Sequence, residues 1–544
     1  MKKQFLLISM MAASVFSTYA NKTIYVANAA LGTKDGSSAV NACVLNQVFG
    51  STTPAVALDA TGTTTVNFDA SAEYTISSSG SSAYDRACVL IPDNLTRKVI
   101  FEGNNAILKA GSLTVRMFRI GSLTNVELRN LTIKNSTHPG SPGGAIYFGG
   151  DSLKISGCTF DSNSADNGGA IASKGKYIKI SNSWFKNNFL LGSFQGGAIS
   201  HTGTTTGGAL IVENTTFSNN LGKVSSNPVY GSAIITAFDG TTRNYLNTIS
   251  ISNSTFYKNK GSLNDPFGYA AVQLDFLGTT APTGVVTTVT FVNNTFYGNS
   301  NCGIRIWGKQ QAVSLINNVI VGDSWANISG TGIQDHGIIT EFSVAEGRAA
   351  IVAKNNYIVA KYPKFAAKMD DAALATGNTD GNTLITTTAQ TDIDALGLSP
   401  DLQTSGSIVP YLGISSISSP LTEKGINSFS GITIPTTDAR GVTRGIGTRG
   451  SKYDIGAYEF DNFITDVKLV SEDYFTLCQT AAAITLNNTG EKALSINIYS
   501  TSGQSIYSVN VSKSLTIQKN QLPKGVMILT VNSGLKTVAK KIVL

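Results

Sequence analysis

The chain has little charge and no long apolar segment after its first twenty residues. Charged residues make up only 14% of the 544 residues, whereas 54 residues are glycine. This composition argues against a helical cytosolic enzyme and is typical of an all-β, turn-rich extracellular protein. No later segment reaches the ~18 consecutive apolar residues that a membrane-spanning helix needs, so we expect no transmembrane segment.

Common metal and nucleophile motifs are also missing. The three histidines are isolated, and none of the five cysteines belongs to a C-x-x-C pair. No H-E-x-x-H, G-x-S-x-G or P-loop occurs, so we predict neither a metal nor a cofactor. Cys43 and Cys88 both lie near the N-terminus. They either form a disulfide in an oxidising compartment or remain two unpaired thiols.

The positive charge of the chain is confined to its two ends. The formal net charge is +7, but Lys2 and Lys3 lie at the N-terminus and residues 489–544 contain seven lysines and one glutamate. The intervening body is close to neutral. No basic stripe remains on it, so we predict no nucleic-acid partner.

A short signature occurs five times between residues 153 and 299. In each copy two apolar residues, separated by one polar residue, precede a Phe that is followed three residues later by Asn. Four copies also have Asn three residues before the Phe, where the first copy has Gly157. The Phe and Asn positions are Phe160 and Asn163, Phe185 and Asn188, Phe217 and Asn220, Phe256 and Asn259, and Phe296 and Asn299.

This signature predicts a right-handed parallel β-helix. The i, i+2 apolar spacing is strand alternation with one buried face. Asn tolerates the left-handed backbone of a corner between strands. The copies recur at irregular spacing, which a β-helix accommodates by looping out residues at its corners. We therefore expect the five Phe side chains to stack inside the helix and the five following Asn amides to form a hydrogen-bonded ladder.

A second motif, G-G-A-I or G-S-A-I, marks another strand in each coil. It occurs at Gly143–Ile146, Gly168–Ile171, Gly196–Ile199 and Gly231–Ile234. Together with F-x-x-N it resembles the repeat of chlamydial polymorphic outer membrane proteins, which are β-helical surface adhesins. The resemblance covers residues 143–299 and implies a pectin-lyase-like solenoid and, less directly, adhesion.

The two ends of the chain indicate export. Residues 1–20 combine two lysines, an apolar run and a small-residue exit, as a signal peptide does. Residues 21–98 are predicted to form the N-terminal cap and first coils, with a first strand at 23–26. A helix after Asp35 would bury Val40, Cys43, Val44 and Val48 and cover the open end of the solenoid.

The C-terminal part resembles two modules of secreted bacterial proteins. We assign residues 99–360 to the β-helix repeats and 361–460 to final coils, with long loops at 361–404. Ser419–Gly425, Asp438–Gly441 and Asp454–Glu459 resemble the closing module called choice-of-anchor Q, with Glu423 in place of its usual Asp. The acidic and Arg residues there are predicted to form a salt-bridge set that closes the last coil.

After a predicted linker at 461–485, residues 486–544 resemble the type nine secretion sorting domain. The resemblance is based on alternating strands, an S-G-Q turn, an L-P-K-G turn and a lysine-bearing last strand. It implies a small β-sandwich, transit through the periplasm, recognition by the type nine secretion machinery and removal of the tail. The mature protein would be released or attached to the cell surface.

The best sequence candidate for a ligand site is a patch around residue 305. Arg305, Trp307 and Lys309 alternate along one predicted strand, and His336 follows. An aromatic plane beside cations suits a sugar, whereas the structural alternative is an ordinary solvated strand face. We favour a monomeric adhesin-like or glycan-binding protein whose partner is an extracellular polysaccharide or a host or bacterial surface. The alternative is a polysaccharide lyase or glycoside hydrolase of the same fold, a possibility that rests on analogy.

Overall fold

The computed structural model forms two compact units. It describes residues 21–49, 56–59, 62–76, 87–111, 114–192, 195–203, 207–222, 231–238, 246–261, 270–275, 287–299, 302–308, 311–322, 336–340, 351–360, 380–386, 389–404, 407, 409–445, 452–460, 470–472, 475–479, 483–488, 490, 492–518, 521–523, 525–533 and 537–543. The first unit comprises residues 1–445 and 451–459, and the second comprises 446–450 and 460–544. The predicted signal peptide lies outside the described residues.

The first unit is a parallel β-helix, which confirms the predicted all-β solenoid. Its largest sheet has 20 strands, and all of their pairings are parallel. Most coils supply two of these strands, one on each side of a corner. The strands are Lys22–Val26, Thr64–Phe68, Glu73–Ile76, Lys98–Ala110, Asn125–Lys134, Ser152–Ser156, Thr159–Asp161, Tyr177–Ser181, Trp184–Lys186, Gly208–Glu213, Thr216–Ser218, Leu246–Ser252, Thr255–Tyr257, Thr287–Val292, Thr295–Asn299, Gln311–Ile316, Val319–Gly322, Val352–Lys354, Tyr357–Ala360 and Thr383–Thr386.

Two further parallel sheets complete the coils. The G-x-A-I motifs lead into the second sheet, as predicted. Its strands are Ala87–Ile91, Arg116–Ile120, Ile146–Phe148, Ile171–Ser173, Ile199–Gly203, Ile234–Phe238, Ala270–Asp275, Cys302–Trp307 and His336–Thr340. The third sheet consists of Thr137–His138, Ser164–Ala165 and Phe189–Leu190. In the first motif Gly143 has φ +74°, and a Cβ on Gly144 would collide with the carbonyl oxygen of Gly169 in the next coil.

The five signature Phe residues stack inside the helix. All five are fully buried, and consecutive ring centroids lie 4.5, 4.9, 5.0 and 4.5 Å apart with interplanar angles of at most 11°. The apolar pairs that precede each Phe are at most 1% exposed. Strand alternation therefore fixes the inward face of every signature strand, and the residues on either side of each Phe must face outward.

The predicted asparagine ladder is present and fully connected. The Asn163 Nδ2 donates to the Asn188 Oδ1 at 3.0 Å, and the same bond repeats down the column at 2.9, 2.8 and 2.9 Å. Each Nδ2 also donates to a backbone carbonyl of the preceding coil, at 2.8–3.0 Å. These amides are buried, so each coil depends on its neighbours for the satisfaction of its polar groups.

The corner Asn residues have the left-handed backbone that the sequence predicts. Asn182, Asn214, Asn253 and Asn293 have φ between +47° and +55°, and Gly157 has φ +64° in the same position. Asn and Gly are the residues that enter this region at least cost. The corner therefore selects its residue through backbone conformation.

A second ladder runs through the next residue of the corner, and its last member, Asn382, was not predicted. The side-chain amides of Asn294, Asn318, Asn356 and Asn382 are joined by hydrogen bonds of 2.9–3.0 Å. Asn382 leads into strand Thr383–Thr386, and an α-helix follows at Gln390–Asp394. The prediction of loops throughout 361–404 is therefore wrong for 383–386 and 390–394. Residues 361–379 lie outside the described part of the chain.

The N-terminal cap differs from the predicted single helix. A 3₁₀ turn at Ala39–Asn41 is separated from a short α-helix at Leu45–Phe49. Val40 is 75% exposed, so its predicted burial is wrong, whereas Leu45, Val48 and Phe49 pack into the core.

Cys43 and Cys88 are separate buried thiols rather than a disulfide. The Cys43 Sγ lies 3.5 Å from the Tyr25 carbonyl oxygen, and the Cys88 Sγ lies 3.5 Å from that of Ile76. Each thiol can therefore donate weakly to a different strand. Of the two alternatives that the sequence left open, the structure shows the unpaired one.

The described residues of 396–445 and 452–459, here called the flanking segment, lie along the side of the helix. Their hydrogen bonds reach coils from Thr216 to Asn355, so the prediction that this segment closes the last coil is wrong. The bonded pairs are Thr216 with Pro410, Tyr257 with Pro400, Asn253 with Thr437, Thr295 with Ala457, and Asn355 with Lys424.

The predicted salt-bridge set of this segment is present and buried. Arg440 pairs with Asp438 at 2.7 Å, and Arg444 pairs with Glu459 at 3.0 Å. The Arg444 Nη2 also donates to the side-chain oxygen of Asn253 at 3.1 Å. Asn253 is one of the left-handed corner residues, so the ion pairs lock the flanking segment onto the corners of the helix. Removal of one partner would leave an uncompensated buried charge.

The second unit is a β-sandwich of two antiparallel sheets. One consists of Val470–Glu472, Phe475–Gln479, Ala483–Asn488 and Ser514–Gln518, and the other of Leu494–Ser500, Ser505–Val511, Val526–Asn532 and Thr537–Val543. A separate apolar core includes Phe475, Ile496 and Leu529. The predicted linker at 461–485 is therefore wrong from Val470 onward, because three strands begin within that range.

His201 is a buried base inside the helix. It is fully buried between Ser173 and Thr236 of the neighbouring coils. Burial lowers the pKa of His201 from 6.5 to about 4. The folded protein therefore keeps this imidazole neutral at pH values at which the unfolded chain is protonated.

Substitutions in the two interior columns test the stacking. Phe217→Asp buries an unpaired carboxylate between Phe185 and Phe256, and we expect it to lower the free energy of unfolding by about 4 kcal/mol. Asn220→Ala removes an amide that bonds both neighbouring coils and should cost about 1–3 kcal/mol. Urea denaturation measures both values, with exposed Lys154→Ala as the control. A parent-like midpoint for Phe217→Asp would show that the assigned stack is wrong.

His201 makes the β-helix sensitive to acid. Because the folded-state pKa lies below that of the unfolded chain, the contribution of His201 is complete above pH 6.5 and declines as the pH falls to about 4. The total loss is about 3 kcal/mol. We expect the loss of stability between pH 7 and pH 4 to be smaller by that amount in His201→Leu. If parent and variant lost equal stability, His201 would not be the acid-sensitive group.

Candidate functional site

The predicted patch around residue 305 is not an open surface at Arg305. This residue faces outward, since Ile304 and Ile306 on either side belong to the interior cluster. Its side chain is nevertheless only 8% exposed. In the same outward row, Gln273 of the preceding strand is fully buried. Arg305 is therefore largely shielded from solvent rather than part of a solvated strand face, and its binding role stays a prediction.

The other members of that patch are only partly placed. Trp307 pairs in register with Asp275, and His336 with Cys302, on neighbouring strands of the second sheet. Lys309 lies outside the described residues. The binding role of these three residues stays a prediction.

An aromatic side chain beside a cation occurs instead at Trp184 on the largest sheet. Trp184 and Lys186 flank the buried Phe185 and are both partly exposed on the outer face. The Lys186 Nζ lies 4.3 Å from the indole ring centroid and 3.2 Å from the Asp161 carboxylate. The indole N–H donates to the Ser218 hydroxyl at 2.8 Å, which fixes the orientation of the ring.

Parallel register aligns this site with the coils on both sides. Thr159, Trp184 and Thr216 form one outward row, and Asp161, Lys186 and Ser218 form the next. Adjacent strands are ~4.8 Å apart, so the rows form a flat grid of hydroxyl, indole, ammonium and carboxylate groups. We call the outward side chains of residues 159–161 and 184–186 the Trp184 face.

Among the residues that the structure describes, the hydrogen bonds of the flanking segment end one strand away from the Trp184 face. The Thr216 hydroxyl donates to the Pro410 carbonyl oxygen, whereas Thr159 and Trp184 on the preceding strands remain partly exposed. Trp184 therefore lies on the open part of the sheet, next to the strand that the flanking segment contacts. An edge beside a flat aromatic surface limits the directions from which a ligand can lie on it.

Charges on and beside this face are nearly balanced. Glu73, in the same sheet, pairs with Lys134 at 2.9 Å and with Lys109 at 3.8 Å. The hydrogen bond and charge of Lys134 lower the pKa of the Glu73 carboxyl. The ammonium groups of Lys109, Lys134 and Lys186 thus lie beside two carboxylates, those of Glu73 and Asp161. The surface offers many hydrogen-bonding groups but little net charge, which suits a ligand rich in hydroxyls.

Trp184 lies within a repeat copy and was not predicted as a site from the sequence. A usable signal was present, because the residue before the signature Phe must face outward once that Phe is buried. That residue is Thr in the other four copies and Trp only at position 184. The solvent exposure of an outward position depends on whether the flanking segment, more than 200 residues later, covers it. The repeat alone therefore does not predict which outward residues stay exposed.

Within the described ranges, no three His, Cys, Asp or Glu side chains lie close enough to hold a metal ion. No helix among the described residues is long and apolar enough to cross a membrane. Asp380, just before strand Thr383–Thr386, pairs its carboxylate with Lys354.

Residues 479–544 match the family model of the secretion system C-terminal sorting domain. This match identifies the chain as an exported protein that reaches the cell surface or is released from it, and it supports interaction with the type nine secretion machinery. No curated protein and no solved structure matches the chain. The resemblances of residues 143–299 to polymorphic outer membrane proteins and of 419–459 to a closing module stay predictions.

Export should depend on the C-terminal sandwich. We expect deletion of residues 465–544 to leave the β-helix in the periplasm, because it removes the whole sorting domain. Cell fractionation measures this, and fusion of residues 465–544 to an unrelated exported domain is the matched control. Mass spectrometry should also show that the mature surface form lacks Leu544. Surface delivery of the truncated chain, or an intact tail on the mature protein, would contradict the respective part of this prediction.

Proposed function

We propose that this exported protein binds a glycan through the Trp184 face and does not cleave it. The observation that supports this proposal best is the partly exposed indole, which lies beside an ammonium and a carboxylate on an open strand face. A binding site of this kind combines an aromatic surface with a few fixed polar groups.

The chemistry of the face fits a sugar ring. The carbon face of a pyranose is apolar and can pack on the indole, while its hydroxyls both donate and accept hydrogen bonds. Asp161 can accept and Lys186 can donate, and the Thr159 hydroxyl can do either. Since Lys186 and Asp161 already pair at 3.2 Å, their positions are set before a ligand arrives, which lowers the entropic cost of binding.

The balance of charge narrows the class of ligand. A strongly anionic polymer needs an excess of cations, and the Trp184 face has nearly as many carboxylates as ammonium groups in and beside it. We therefore expect a neutral or weakly charged polysaccharide, as part of a capsule, a matrix or a host surface. A segment of a few sugar rings would lie across neighbouring strands of the sheet.

Removal of the indole tests the proposal. We expect the purified full-length chain to be retained on one or more neutral polysaccharides in affinity electrophoresis. Trp184→Ala should weaken retention at least tenfold, about 1.4 kcal/mol, whereas Trp184→Phe keeps part of it. Lys154→Ala, an exposed change on strand Ser152–Ser156 outside the Trp184 face, is the control and should leave retention unchanged.

Two results would contradict the proposal in different ways. Parent-like retention of Trp184→Ala would show that the glycan is bound elsewhere. Release of oligosaccharides with new reducing ends, or of unsaturated sugars, would show that the protein is a hydrolase or a lyase and would overturn the non-catalytic part.

A further inference from the structure

A cleft separates the flanking segment from the side of the β-helix at the far end of the same outward row. It has a volume of about 460 Å³, which lies within the range of small-molecule sites. Both of its walls belong to the first unit. The helix contributes Asn355 and Tyr357, and the flanking segment contributes Glu423, Lys424, Lys452 and Ile455.

Three charged side chains line this cleft without pairing. Glu423, Lys424 and Lys452 make no ion pair within the described part of the chain, although all three border the same space. The buried charges of the flanking segment behave differently, since Asp438 pairs with Arg440. The segment thus neutralises its internal charges and leaves two ammonium groups and one carboxylate available at the cleft.

The backbone at Glu423 is strained. Its φ is +54°, in the left-handed region that a long side chain such as Glu rarely adopts. Flanking hydrogen bonds impose this conformation: the Glu423 N–H donates to the Asp454 carboxylate at 2.6 Å, and the Asn355 side chain donates to the Lys424 carbonyl at 2.7 Å. Strain of this kind is concentrated at ligand sites, so an observed outlier is a reason to look for a ligand.

Tyr357 gives the floor of the cleft a hydrogen-bond donor. Burial, followed by the nearby charge of Asp392, raises the pKa of Tyr357, so its phenol keeps its proton at neutral pH. Tyr357 lies in the same outward row as Trp184, five strands further along, at a distance of roughly 24 Å. The row between them is bonded to the flanking segment, for example at Thr295, so the two sites are separate surfaces.

We propose that this cleft binds an acidic sugar residue. Its anionic group would lie between the ammonium groups of Lys424 and Lys452, and its hydroxyls would donate to Glu423 and accept from Tyr357. Ile455 supplies an apolar wall for the ring carbons. A carboxylate and a sulfate ester both complement the charge of the two lysines, and the site differs from the Trp184 face in requiring a charged ligand.

Calorimetric titration of the full-length chain tests this site. The probes are a disaccharide that contains a uronate, its sulfated counterpart and a neutral disaccharide of the same linkage. We expect one or both acidic probes to bind and the neutral one not to bind. Lys424→Gln and Lys452→Gln should each weaken binding at least tenfold, and Trp184→Ala should leave it unchanged.

Glu423→Asn separates a ligand role from a structural one. Asn tolerates the left-handed backbone but lacks the carboxylate, so we expect weaker binding of the acidic probe with an equal or higher melting temperature. The proposal is overturned if no acidic probe binds, if the neutral probe binds equally well, or if the lysine variants bind like the parent. Parallel loss of binding and melting temperature in Glu423→Asn would assign that residue a structural role only and remove it from the site.

Discussion

The structure depends on one repeated interaction, the hydrogen bond between the side-chain amide of an asparagine and that of its counterpart in the next coil. Each amide from Asn163 to Asn259 donates to the next amide in the column and to a backbone carbonyl of the preceding coil. A buried amide without these partners costs more than the bond itself is worth, so each coil requires the next in the same register. The Phe stack follows from that register, and so do the outward rows that present Trp184 and Tyr357.

The flanking segment converts a uniform rod into a molecule with distinct surfaces. Its bonds to Thr216, Asn253 and Thr295 cover part of one outer face, and its buried ion pairs fix it there. The face that remains open carries Trp184, and the cleft forms where the segment meets Tyr357. Both proposed sites therefore arise at the borders of the same covering element, and each uses a side chain whose outward direction the ladder has already set.

The residues that fill the interior of the β-helix could be predicted from the sequence. Which outward residues are covered by other segments could not. Phe160 to Phe296 and their asparagines obey local offsets, and strand alternation and left-handed corners act within a few residues. The burial of Arg305 and the exposure of Val40 depend on packing between distant segments, to which a local pattern is insensitive. Asn382 was missed because its coil has Gly381 at the corner and no Phe. The strand that begins at Val470 has only three residues, too few to show strand alternation, although it pairs locally with Phe475–Gln479.

The central claim is that the β-helix presents Trp184 to a glycan. Hydroxyl-radical footprinting of the full-length protein, with and without a polysaccharide that retains it, measures this directly, because oxidation reports the solvent access of each tryptophan. We expect the glycan to lower the oxidation rate of Trp184 and to leave that of Trp307 unchanged. Protection of Trp307 alone, or an unchanged rate at Trp184 in a saturated complex, would contradict it.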